Sequence, residues 1–101
     1  MQRLDVYQIP FRGKPGFVVD VQANLLRDLK SRVIIPLIPV TGSYQGLADL
    51  NPIFSIDGVE YLLLTQEIAP VSVKELGQPK HSLDVHHDQI TKALDMLLHG
   101  F

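Results

Sequence analysis

The chain has 101 residues, 46% of them hydrophobic and 20% charged, with a net charge of −2. These values describe a single globular domain and exclude a disordered segment. The lack of cysteine excludes a disulfide framework and a thiolate metal site, and no apolar run approaches the roughly 20 residues of a membrane helix.

Charge is unevenly placed. Residues 1–33 carry Arg3, Arg12, Lys14, Arg27, Lys30 and Arg32 against Asp5, Asp20 and Asp28, a balance of +3. The remainder carries three lysines against eight acids, a balance of −5. A mildly acidic chain whose arginines all lie in its first third is a poor direct ligand for nucleic acid and suits protein partners. The opening Met1-Gln-Arg-Leu-Asp5 places charge where a secretion signal needs an apolar run, so a cytoplasmic location is expected.

In chain order, Arg3 to Ile9 alternates, with Leu4, Val6 and Gln8 on one side and Asp5, Tyr7 and Ile9 on the other, and reads as a strand. Pro10 to Gly16 holds two prolines, two glycines and two cations, which predicts an exposed loop. The β-rich run Phe17-Val-Val-Asp-Val21 follows, making a hairpin. Gln22 to Lys30 is a short amphipathic segment, either a turn or one turn of helix. Arg32 to Val40 is the most hydrophobic run and predicts a buried strand. Pro36 and Pro39 cannot donate ladder bonds, so that strand is expected to bulge there or to lie at an edge.

Thr41 to Gly46 reads as a loop and Leu47 to Pro52 as a short turn. Ile53 to Ile56 and Val59 to Thr65 flank Asp57-Gly58, a strong two-residue hairpin signal. Gln66 to Pro70 reads as a connection and Val71 to Val73 as a short strand. From Asp84 onward, Ile90, Leu94, Leu97 and Phe101 recur at helical spacing, and Asp88, Lys92, Asp95 and His99 form the opposite stripe. Asp84 or Ser82 suits the start of this helix and Gly100 its end. The pattern is mainly β with a C-terminal α-helix packed on a small twisted or barrel-like sheet.

Catalytic motifs are absent: there is no phosphate-binding Gly-rich loop, no Gly-x-Ser-x-Gly and no His-Glu-x-x-His. His86 and His87 are adjacent and point about 100° apart on a helix, so they do not converge on one ion. Neither a metal nor another cofactor is expected, and the chain does not read as an enzyme.

Several segments nonetheless resemble one family. Met1-Gln2, Phe17-Val-Val-Asp-Val-Gln22, Val33-Ile-Ile-Pro-Leu37, Thr65 with Ala69, and an ending of Gly100 plus a bulky residue are similar, in that order and along the whole chain, to CcdB toxins. The resemblance implies an SH3-like antiparallel barrel with a small accessory sheet and a C-terminal helix, and a homodimer. It implies a toxin that binds the A subunit of DNA gyrase and traps the cleaved-DNA complex. A CcdA-like antitoxin would remove it and, with it, repress their operon, touching DNA on the pair's behalf. Carried over residue by residue, the gyrase contact falls on His99, Gly100, Phe101 and Asp95, with Ala23, Leu25 and Leu26 as a second segment. The antitoxin contact falls on the loop after the first strand, Pro10, Phe11, Arg12, Gly13 and Lys14. Where the family's best-known ending is Trp-Gly-Ile, this chain has His-Gly-Phe. Two rival readings stand beside this one: an endoribonuclease of the related MazF type, and a CcdB-like protein that has lost gyrase poisoning.

Overall fold

A computed structural model describes residues 2–9, 13, 16–40 and 46–100. Among the described residues seven strands and one α-helix run in the order β1 (Asp5–Gln8), β2 (Phe17–Asp20), β3 (Ser31–Pro39), β4 (Ile53–Ile56), β5 (Val59–Leu63), β6 (Ala69–Ser72), β7 (His81–Ser82) and α1 (His87–His99). All pairings are antiparallel. The strands join one sheet in the order β4-β5-β3-β2-β1-β7, with β6 branching onto β3.

β3 is the spine. One of its edges pairs with β2, from Phe17↔Leu37 to Asp20↔Ile34. Its other edge is shared: β6 takes Ser31 to Ile34, and β5 takes Leu37 to Pro39. The expectation that Pro36 forces this strand to an edge or a bulge is therefore wrong; β3 is central and unbroken. The reason lies in which way Pro36 faces. Its carbonyl accepts from the Leu64 amide at 2.9 Å, and a strand residue's nitrogen points to the same edge as its carbonyl. That edge, at Pro36, is the junction between β6 and β5, and the Leu64 carbonyl opposite it already accepts from the Glu67 amide at 2.8 Å, so it needs no hydrogen from position 36. The Val40 amide donates to Glu60 at 2.9 Å, so Pro39, one residue earlier, faces the opposite edge, past the first residue of β2.

The strand pair β4–β5 forms as predicted. Asp57 and Gly58 both adopt positive φ, 52° and 80°, the pair a two-residue turn needs to match strand twist. The Asp57 carboxylate then meets His81 of β7 at 3.3 Å, bringing the two free ends of the sheet together into a nearly closed barrel. The Phe17 ring stands edge-on to both Tyr61 of β5 and His81, with centroids 5.2 and 5.5 Å away.

Strands β1, β2 and β3 bury residues on both faces, since neighbouring side chains point to opposite sides of the sheet. Leu4, Val6, Val19, Ile35, Leu37 and Leu63 face the main core, which α1 covers with Ile90 and Ala93. Tyr7, Val18, Ile34 and Leu76 form a second cluster on the other face. Full burial of one such aliphatic side chain contributes about 1.5–3 kcal/mol. The predicted apolar stripe of the helix holds: Ile90 is buried, Leu94 and Leu97 are half-buried, and Asp88, Lys92, Asp95 and His99 are exposed. Phe101 lies outside the described residues.

The helix begins later than Asp84. Asp84–His86 is a 3-10 turn whose first amide is capped by Ser82 Oγ at 3.2 Å, and α1 starts at His87. Gly100 ends it in the left-handed conformation, φ 79°, its amide donating to Met96. β6 likewise starts at Ala69, inside the predicted connection, and Val73 belongs to a 3-10 turn. The predicted loop at Thr41–Gly46 lies, apart from Gly46, outside the described residues.

Candidate protein-docking site

The segment between β2 and β3 forms one 3-10 turn, Asn24–Leu26, with none of its residues buried. Leu25 is 92% exposed, and Leu26 and Leu29 are about half exposed, at 47% and 52%. Neighbouring apolar side chains left in water mark an interaction surface more often than a defect. Ala23 precedes the turn and is also exposed.

The base of this loop is the reverse of its tip. Asp20 and Arg32 are fully buried, joined through Asp20 Oδ2 by Arg32 Nε at 2.7 Å and Nη2 at 2.6 Å. Burial holds the Asp20 carboxyl above the ordinary carboxylate range, while the Arg32 bond and the Gln22 amide pull against it. Tyr7 shares this environment. Its hydroxyl has no hydrogen-bond partner among the described residues, and burial, with Asp5 and Asp20 nearby, pushes its pKa up. In the sequence these residues read as ordinary charges in a basic third of the chain. The available signal was their isolation within apolar runs, Val-Val-Asp-Val and Arg-Val-Ile-Ile.

The second predicted segment is the end of α1. Asp95, His99 and Gly100 are exposed on its last turns. Leu98, which the sequence reading passed over, is 66% exposed beside them. Eight residues beyond Ile90 puts it about 80° off the buried stripe, enough to have flagged it. The two segments do not meet within one chain. A cleft of about 430 Å³ lined by Arg3, Asn24, Asp84 and His87 sets the loop's base beside the start of α1. His99 is at the other end of that 13-residue helix, about 18 Å on.

Of the predicted antitoxin contact, Pro10, Phe11, Arg12 and Lys14 lie outside the described residues. Gly13 is exposed with φ 76°, and the strands either side pair as a hairpin, Gln8↔Phe17. Among the described residues no three His, Asp or Glu side chains are placed to hold a metal ion, and no helix is long and apolar enough to cross a membrane.

The family model described as "CcdB protein" matches residues 3–100. The chain belongs to the CcdB family. Membership places it on the toxin side of a toxin–antitoxin pair. No curated protein matches the chain. Among solved structures it is similar to an endoribonuclease in complex with its cognate antitoxin from a mycobacterial species, with a TM-score of 0.78 and 16% identity over 97% of this chain and 94% of that one. At that identity the likeness is one of fold.

Proposed function

We propose that this CcdB-family toxin is a non-enzymatic poison that docks on the A subunit of DNA gyrase and traps the complex in which DNA is cleaved. The observation that carries the reading is the exposure of two segments, the Leu25–Leu26 loop and the end of α1 at Asp95, Leu98 and His99. They fall on the segments that the family resemblance assigns to gyrase. As a homodimer the toxin presents two copies of each. A CcdA-like antitoxin engages the Pro10–Lys14 loop, where Arg12 and Lys14 suit an acidic segment, and the pair represses its own operon with the antitoxin making the DNA contact.

The test is survival of bacteria expressing the chain with sensitive or resistant gyrase A alleles. Killing confined to the sensitive allele supports the reading. Deleting residues 99–101 is expected to abolish killing while leaving the melting temperature within a few degrees, because His99 and Gly100 are exposed and add little to the core. Killing that persists in the resistant strain would sink the gyrase assignment.

An endoribonuclease reading draws on the mycobacterial neighbour, which is one. Such chemistry needs a cation facing the scissile phosphate. Among the described arginines, Arg32 is sealed against Asp20, Arg3 Nε is bonded to the Val21 carbonyl, and Arg27 stands on the loop of exposed leucines. Cleavage of a structured RNA by the purified protein alone would favour that reading over docking.

A further inference from the structure

The β2–β3 loop buries none of its 3-10 turn, so its course is set at its base, and there the ladder opens on its last rung. The Val21 amide donates to the Val33 carbonyl at 2.9 Å. An antiparallel pair would return a bond from the Val33 amide to the Val21 carbonyl. Instead the Val33 amide donates to Gln22 Oε1 at 3.1 Å, and the Val21 carbonyl accepts from Arg3 Nε at 3.2 Å. Two backbone groups that the departing strand would leave empty are thus taken up by side chains.

Gln22 does more than fill the gap. Its Nε2 reaches over the loop and donates to the Leu26 carbonyl at 3.0 Å, and its backbone amide donates to Asp20 Oδ1 at 3.0 Å. The side-chain amide therefore ties β3 to the loop's turn, and the backbone amide of the same residue ties both to the buried Asp20–Arg32 pair. Arg3 closes the other side, its backbone amide donating to Asn24 Oδ1 at 2.7 Å.

We propose that Gln22 is the positioning residue of the docking loop: its side-chain amide fixes the angle at which Leu25 and Leu26 leave the sheet, and so sets the loop's affinity for its protein partner. The proposal rests on the docking reading above. Gln22 is 7% exposed and acts through the leucines, not by touching the partner. Its job needs an acceptor and a donor on one short arm, which a side-chain amide supplies and a carboxylate does not.

Gln22→Glu keeps an acceptor for Val33 and removes the donor for Leu26. The full chain and this variant are compared by amide hydrogen exchange and by calorimetric titration with purified gyrase A subunit. The amides of Leu26, Arg27 and Leu29, which close the turn, are expected to exchange roughly tenfold faster in the variant, with those of Ile35 and Leu37 unchanged. Affinity for gyrase A is expected to fall by roughly tenfold. Unchanged loop exchange, faster exchange spread evenly through the core, or full affinity despite a loosened loop would each overturn the proposal. Should the buried carboxylate prevent folding, Gln22→Met, of similar length and uncharged, is measured in the same way. If the unaltered protein fails to bind gyrase A, the docking reading falls, while the exchange comparison still decides whether Gln22 holds the loop.

Discussion

The base and the tip of the β2–β3 loop invert the usual rule of burial. Asp20, Gln22 and Arg32 are buried, while Leu25, Leu26 and Leu29 stand in solvent. A polar base costs desolvation and returns direction, because hydrogen bonds fix angles where apolar contacts do not. An apolar tip adds nothing to the folded chain and is available to a partner. The difference teaches that the two halves answer to different demands, and each can be broken separately.

The largest effect is expected at the base. Arg32→Ala leaves the Asp20 carboxylate buried and uncompensated, a loss of about 3–5 kcal/mol in chemical denaturation. A loss under about 1 kcal/mol would mean the pair contributes nothing that solvent does not replace. Next comes the helix over the main core, where Ile90→Ala is expected to cost about 2–5 kcal/mol and the half-buried Leu94→Ala less. Equal costs at the two positions would misplace the helix face. At the tip, Leu25→Ala is expected to shift stability by no more than about 0.5 kcal/mol while weakening gyrase A binding in the calorimeter. A marked fall in melting temperature would make Leu25 structural.

The smallest effect is at Tyr7. Its buried hydroxyl has no partner among the described residues, so Tyr7→Phe is expected to be close to neutral at pH 7. The alkaline limb is another matter. The folded pKa lies above the ordinary 10.0, so the contribution is intact below pH 10.0 and is lost as pH rises from there toward the folded value, where the unfolded chain ionises first. Tyr7→Phe should flatten that part of the denaturation curve against pH; an unchanged curve would show that Tyr7 does not titrate differently on folding.

Local chemistry was legible in the sequence and long-range pairing was not. The Asp57-Gly58 turn, the helical stripe from Ile90 to Leu97 and the Gly100 stop each depend on residues a few positions apart, and each formed as read. The loop leucines were picked out through the family's pattern. The Asp20–Arg32 pair was invisible because it depends on two strands lying side by side, and burial turns two ordinary charges into a structural joint. The loop's bracket at Gln22 was hidden for the same reason. Leu98 was overlooked because the stripe was drawn too narrowly. Pro36 failed in the opposite sense: the rule against central prolines is sound for a strand fully paired on both edges, and β3 has an interval on one edge where the rule has nothing to forbid.

That interval has a consequence for how the strand is held in place. Pro36 and Pro39 face opposite edges of β3, Pro36 toward the junction of β6 and β5 and Pro39 beyond the Phe17↔Leu37 end of the paired β2 residues. Sliding β3 two positions along either neighbour would keep every apolar side chain on its own face, so the core alone would tolerate the shift. It would also set a nitrogen without hydrogen against a carbonyl that expects one. The two imino rings act like teeth on a ratchet, indexing the spine of the barrel to a single notch.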